Sequence, residues 1–198
     1  MIRAASLAAG LAFGLALPLV AQEMGGVTLN APLPGTLPDP VGSEVQGPFA
    51  YTLWQFEDGT AMSATADAQT GAVYYAEIWN DAGGARPAPV PGMVFGETTQ
   101  AELVARFGSE GIVFEDRGRA AAAGDMAAFF HSYEIEGGTA VVSFVTIMPL
   151  AEASPETAGA ALLDSVILGH GPYLDLIWGA NRGRIEGYAP IADPFTGD

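Results

Sequence analysis

The stretch HGPYLDLIWGANRGRIEGY, His170 to Tyr188, gathers an imidazole (His170), a carboxylate (Asp175) and two guanidinium groups (Arg182, Arg184) in one short segment. An imidazole can move a proton, a carboxylate can orient it, and a guanidinium can hold an oxyanion or a carboxylate through paired hydrogen bonds. Those roles describe a small periplasmic hydrolase built on His170, Asp175 and Arg182, with Arg184 beside them. The same residues have a plainer reading. Arg182, Arg184 and Glu186 alternate, so the arginines can simply pair with the protein's own acids at a strand edge.

Other catalytic patterns fail on inspection. His131 and His170 are the only histidines and no Cys is present, so a zinc site has too few nitrogen and sulfur donors. FGSEG (Phe107 to Gly111) has Phe where a nucleophile elbow needs its first glycine, and it follows a helix rather than a strand. Gly169-His170-Gly171 lacks the later glycine of a dinucleotide loop, and DPFTGD lacks the alternating ligands of a calcium loop. No catalytic residue, cofactor or metal is therefore assigned. A binding face is the stronger expectation. Tyr51, Trp54, Tyr74 and Trp79 crowd one small group of strands, and a sheet with bulk on both sides needs a cover or a partner.

The segments around these residues set their context. The chain opens MIRAASLAAGLAFGLALPLVAQE, a basic start, an apolar middle and a small residue, Ala21, before Gln22. This predicts a cleaved signal peptide over residues 1–21 and a periplasmic or secreted product that is not embedded in the membrane. The 23 Asp+Glu outnumber the 7 Lys+Arg, all seven of them Arg, for a formal charge of −16. A field of that sign repels nucleic acid. It suits basic partners, divalent cations or solubility in salt, so a salt-adapted structural or cation-binding protein is a further alternative.

Residues 22–48 read as a Pro/Gly-rich arm without periodicity. Strands are predicted over 49–56, 61–66 and 72–79, joined at Asp58-Gly59 and at Asp67 to Gly71, as a three-stranded antiparallel meander. NDAGGARPAPVPG, over 80–92, is a connector. Thr99-Gln100-Ala101-Glu102 is a capping box that starts a short helix stopped by Gly108. Gly137-Gly138 turns a hairpin between 127–136 and 139–148. Ser154-Pro155-Glu156 predicts a second helix carrying Ala158, Ala161, Leu162, Ser165 and Leu168 on one stripe. A third, short helix starts near Pro172, with Tyr173, Leu174, Ile177 and Trp178 on its apolar side. The expected fold is α+β: hairpin-connected antiparallel strands with a few helices packed on one face, residues 93–198 forming one module with or without the meander.

PGMVFGETTQAELVARFGSEGIVF, followed by the hairpin AAFFHSYEIEGGTAVVSFV, resembles the small two-layer modules of exported SmpA/OmlA-type and β-lactamase-inhibitor-protein-like domains. The likeness covers about residues 92–148. Gly92-Met93 is separated from Thr98-Thr99 by an insertion, and the usual Gly-x-Pro reads Gly108-Ser109-Glu110. The resemblance implies a non-enzymatic protein-binding or envelope-assembly role and carries over no functional residues. The sequence thus points to an exported, acidic, non-catalytic module that binds an envelope protein or a small ligand, with Tyr51, Trp54, Tyr74 and Trp79 as its contact.

Overall fold

A computed structural model describes residues 22–185 and 187–196. The signal peptide expected over residues 1–21 and the acidic residue Glu186 lie outside the described residues. Strands β1 (Glu23–Met24) and β2 (Val27–Thr28) make a ribbon. Strands β3 (Gly42–Gln46), β4 (Phe49–Gln55), β5 (Thr60–Asp67) and β6 (Val73–Asn80) make a meander. A second ribbon, β7 (Arg86–Pro87) and β8 (Val94–Phe95), precedes helix α1 (Gln100–Phe107). Then follow β9 (Ile112–Phe114), β10 (Ala120–Ala123), β11 (Met126–Glu134), β12 (Ala140–Pro149), β13 (Leu162–His170), helix α2 (Gly171–Trp178) and β14 (Arg182–Arg184).

Ten of these strands form one antiparallel sheet in the order β14-β9-β11-β12-β13-β6-β5-β4-β3, with β10 also on β11. The chain is 45% strand and 13% helical. The expected α+β class, with helices packed on one face, is therefore corrected to a mostly β fold. The two α-helices do not share a face. Leu103 of α1 joins the cluster of Val142 and Phe144, whereas Leu174 of α2 packs with Val141. Neighbouring residues of a strand point to opposite sides, so one helix lies on each face of the sheet.

The largest revision concerns residues 154–168, expected to be helical. The Ser154 cap forms, with Thr157 N donating to Ser154 Oγ (3.3 Å), but only a turn and a short 3₁₀ segment over Ala158–Ala160 follow. Leu162 to His170 is instead the central strand, with β12 on one side and β6 on the other. A strand buried on both faces loses its alternation, and its apolar run then matches a helical stripe as well as it matches a strand. Because β13 pairs with β6, the meander and the C-terminal strands share one sheet rather than forming two. The arm, read as irregular, contributes β1, β2 and the edge strand β3.

Other local signals hold. Thr99 and Glu102 exchange the capping-box bonds, and Gly108 closes α1 at φ +71°. In β6 a register shift sets Thr65 opposite Tyr75 and Ala66 opposite Val73. Tyr74 is the extra residue, which moves Val73 onto the same buried side as Ala76 and Ile78. That side is the larger core, covered by Met24, Val27 and Leu29 of the arm, by Val90 of the connector and by Met93 and Phe95 at β8. Each large apolar side chain fully buried there contributes roughly 1.5–3 kcal/mol. Among the described residues no helix is long and apolar enough to cross a membrane.

Candidate functional site

Gly171, Pro172, Asp175 and Arg182 build one wall of a cleft of about 600 Å³ between the Gly137-Gly138 turn, the start of α2 and β14. Strand geometry brings its charges together. Arg182 and Arg184 lie two apart on β14, opposite Phe114 and Ile112 of β9, so both guanidinium groups share one side of the sheet. Glu134, at the end of β11, receives both: Arg182 Nη1 donates to Oε1 (3.0 Å) and Arg184 Nη2 to Oε2 (3.0 Å). Arg182 Nε also donates to Asp175 Oδ1 of α2 (2.7 Å), and its guanidinium lies 5.1 Å from the Phe114 ring. Arg182 and Glu134 are largely shielded, with 17% and 19% of their side chains exposed, and Arg184 is open at 62%. The shielded pair rests on specific geometry, and the exposed arm adds little.

Close contacts border the cleft on two sides. Gly171 N donates to Thr139 O (2.7 Å). A Cβ at Gly171 would sit 2.6 Å from Thr139 O and 2.9 Å from Arg182 Nη2, so only glycine allows this approach. On the far side, Glu134 N donates to the Tyr188 hydroxyl (2.8 Å), and Ile191 exchanges backbone bonds with Glu134 and Glu136.

The sequence-derived residues are thus partly assembled. Asp175 and Arg182 line the cleft, and Arg184 reaches it through Glu134. His170 stands apart from the lining residues as N-cap of α2, stacked on Tyr74 (6.0 Å), with burial lowering its pKa. Thr139 is the one side-chain hydroxyl on the lining. His131 lies under α1, 4% exposed; burial lowers its pKa, and the charge and backbone carbonyl of Glu110 oppose that shift. Among the described residues no group of three or more His, Asp or Glu is placed to hold a metal ion.

The four meander aromatics do not form one surface. Trp54 is 3% exposed, packs in the arm-covered core and donates Nε1 to Pro38 O (3.0 Å). Tyr51, Tyr74 and Trp79 lie on the opposite side. Tyr74 stacks on Tyr173 (5.9 Å), and Trp79 Nε1 donates to Asp81 (3.3 Å).

Sequence reasoning missed the polar cluster on that side. The Arg117 guanidinium is clamped between the rings of Phe130 (3.9 Å) and Trp178 (3.7 Å). Burial lowers its pKa against the favourable field of Tyr75 and Glu77. Next to it Tyr75 OH (2.6 Å) and Ser165 Oγ (2.8 Å) both donate to Glu77. Asp164, where β13 shifts register against β12, has its carboxyl pushed up to about 6, first by burial and then by Glu77. Only Glu134 left a readable trace, as an acid ending an apolar strand with two alternating arginines elsewhere. Arg117, Phe130 and Trp178 are too far apart in sequence to announce a clamp.

Comparison with protein-family models, with curated proteins and with solved structures finds no match to the chain.

Proposed function

We propose that this chain is an exported, non-catalytic binding module that takes a cationic group, an amine or a guanidinium of a small ligand or of an envelope partner, into the cleft between the Gly137-Gly138 turn and α2. The observation that carries the reading is the charge of the lining. Glu134, Glu136 and Asp175 face a single guanidinium, Arg182, which is already held by two of them. Glu136 is exposed and makes no side-chain hydrogen bond among the described residues, so it is the acid free to receive a ligand. The formal −16 of the chain draws cations toward the cleft from a distance. Catalysis has less support, because His170 stands outside the cleft and nothing there activates Thr139.

Calorimetric titration of the mature protein with arginine amide, lysine amide and putrescine tests the reading. One-site binding that weakens about three- to fivefold in Glu136→Gln is expected, the effect of one exposed charge. The reading fails if none of the three binds, or if inorganic phosphate binds in their place. Export rests on residues 1–21, and N-terminal sequencing of the periplasmic fraction checks it: the expected mature chain begins at Gln22.

A further inference from the structure

Strand β10 consists of four alanines, all exposed, and is hydrogen-bonded on one side only, to β11. Phe130 N donates to Arg119 O (2.8 Å), which sets the alternation of this antiparallel ladder. Ala121 and Ala123 turn their backbone groups toward β11, so the N–H and C=O of Ala120 and Ala122 point outward, with no partner among the described residues. Open edges are normally blunted by lysine, proline, an inward charge or a bulge. None of these occurs in Ala120–Ala123.

The side chains add a second, independent feature. Ala122 stands opposite Ala127 and Ala120 opposite Phe129, so these four share one face of the sheet. That face opens on an apolar groove of about 460 Å³, walled on its far side by Leu150 and Pro155. A strand added to the free edge would pair with Ala120 and Ala122, and the side chains opposite them would enter the groove. Acids flank it: Asp125 follows β10 and accepts Leu150 N at its carbonyl (2.8 Å), while Glu152 and Glu156 adjoin the far wall and are exposed. The one cation on the lining, Arg119, is paired with Glu110 (3.2 Å).

We propose that the β10 edge binds an extended segment of a partner protein as an added strand, with alternate large apolar side chains in the groove and basic side chains facing Asp125, Glu152 and Glu156. Backbone pairing supplies the affinity and the groove the choice of side chain. The site is separate from the cationic-group cleft, and either can fail without the other.

The probe is a fluorescein-labelled, end-blocked peptide Lys-Leu-Lys-Leu-Lys-Leu-Lys, titrated into the mature chain at low salt and followed by anisotropy and by amide chemical shifts. Saturable binding with the largest shifts at Ala120–Ala123 is expected. Ala122→Pro removes an outward N–H and leaves the bonds to β11 in place, so it should weaken binding tenfold or more while preserving the circular dichroism spectrum. N-methylating alternate amides of the peptide should do the same, and this arm decides the matter even if the proline variant does not fold. Unchanged affinity in both arms overturns the proposal. Equal binding of the Glu-for-Lys peptide overturns the basic partner. Palmitate binding that responds to Leu150→Ser but not to Ala122→Pro, with no peptide binding, would give the groove to an acyl chain instead.

Discussion

Replacing Asp164 by Asn should stabilise the protein at neutral pH and leave it unchanged near pH 3. Asp164 occupies the register shift in β13, partly buried, and the charge of Glu77 adds to the effect of burial. Its carboxyl titrates at about 6 in the folded protein against 3.8 as the ordinary value. A displacement of about two units corresponds to roughly 3 kcal/mol at 1.36 kcal/mol per unit. The side chain keeps partial access to water, and screening reduces this to about 1–1.5 kcal/mol. Because the folded pKa is raised, the favourable contribution is complete below pH 3.8 and is lost as pH rises through about 6. Wild type therefore surrenders that energy between pH 4 and 6.5, and Asp164→Asn does not. Urea denaturation at about pH 3 and at about pH 7.5 reads the difference directly. The variant should gain about 1–1.5 kcal/mol, or roughly 2–5 °C in Tm, at the higher pH only. Glu77→Gln should move the Asp164 titration, followed by NMR, back toward 3.8. An equal gain at both pH values would refute the reasoning, since packing rather than ionisation would then explain it.

His131→Leu should act with the opposite pH dependence: burial depresses the imidazole, so wild type loses stability as pH falls below about 6.5, and the leucine variant should not. Arg117→Leu should cost about 1 kcal/mol through loss of the double ring contact and shift the fluorescence of Trp178; Arg117→Lys should not restore it, because an ammonium cannot lie flat between two rings. Gly171→Ala should cost about 1–3 kcal/mol in thermal denaturation and abolish binding of arginine amide, because the added methyl displaces Thr139 or Arg182.

What the sequence revealed divides along the reach of its signals. The Thr99–Glu102 box, the Gly137-Gly138 turn and the helix after Pro172 are local, and all three occur in the structure. The strand at 162–170 depends on two distant partners that bury both of its sides, which erased the alternation and let a helical stripe stand in its place. The side on which Trp54 would lie depended on the arm, whose Pro38 carbonyl receives the indole. At the cleft, the alternation of Arg182 and Arg184 was visible, and so was the option that they pair with the protein's own acids. That the acids are Glu134 and Asp175 required the pairing of β14 with β9 and the placement of α2.

The position of β13 bears on how the chain reaches this structure. Its central location in the sheet contrasts with its late place in the sequence: Ser165 lies opposite Trp79 on one side and Val145 on the other. The meander and the β11–β12 hairpin can each form early from local contacts, but they have no shared edge until residues near 165 are available. Closing the loop between β6 and β13 is an entropic cost met before the reward of pairing, and such long-range closures slow folding. Until then β6 and β12 both expose an unpaired edge next to apolar side chains, which makes the half-assembled sheet the state most open to aggregation. If the chain crosses a membrane from its N-terminus, the strand that completes the sheet is among the last segments to arrive.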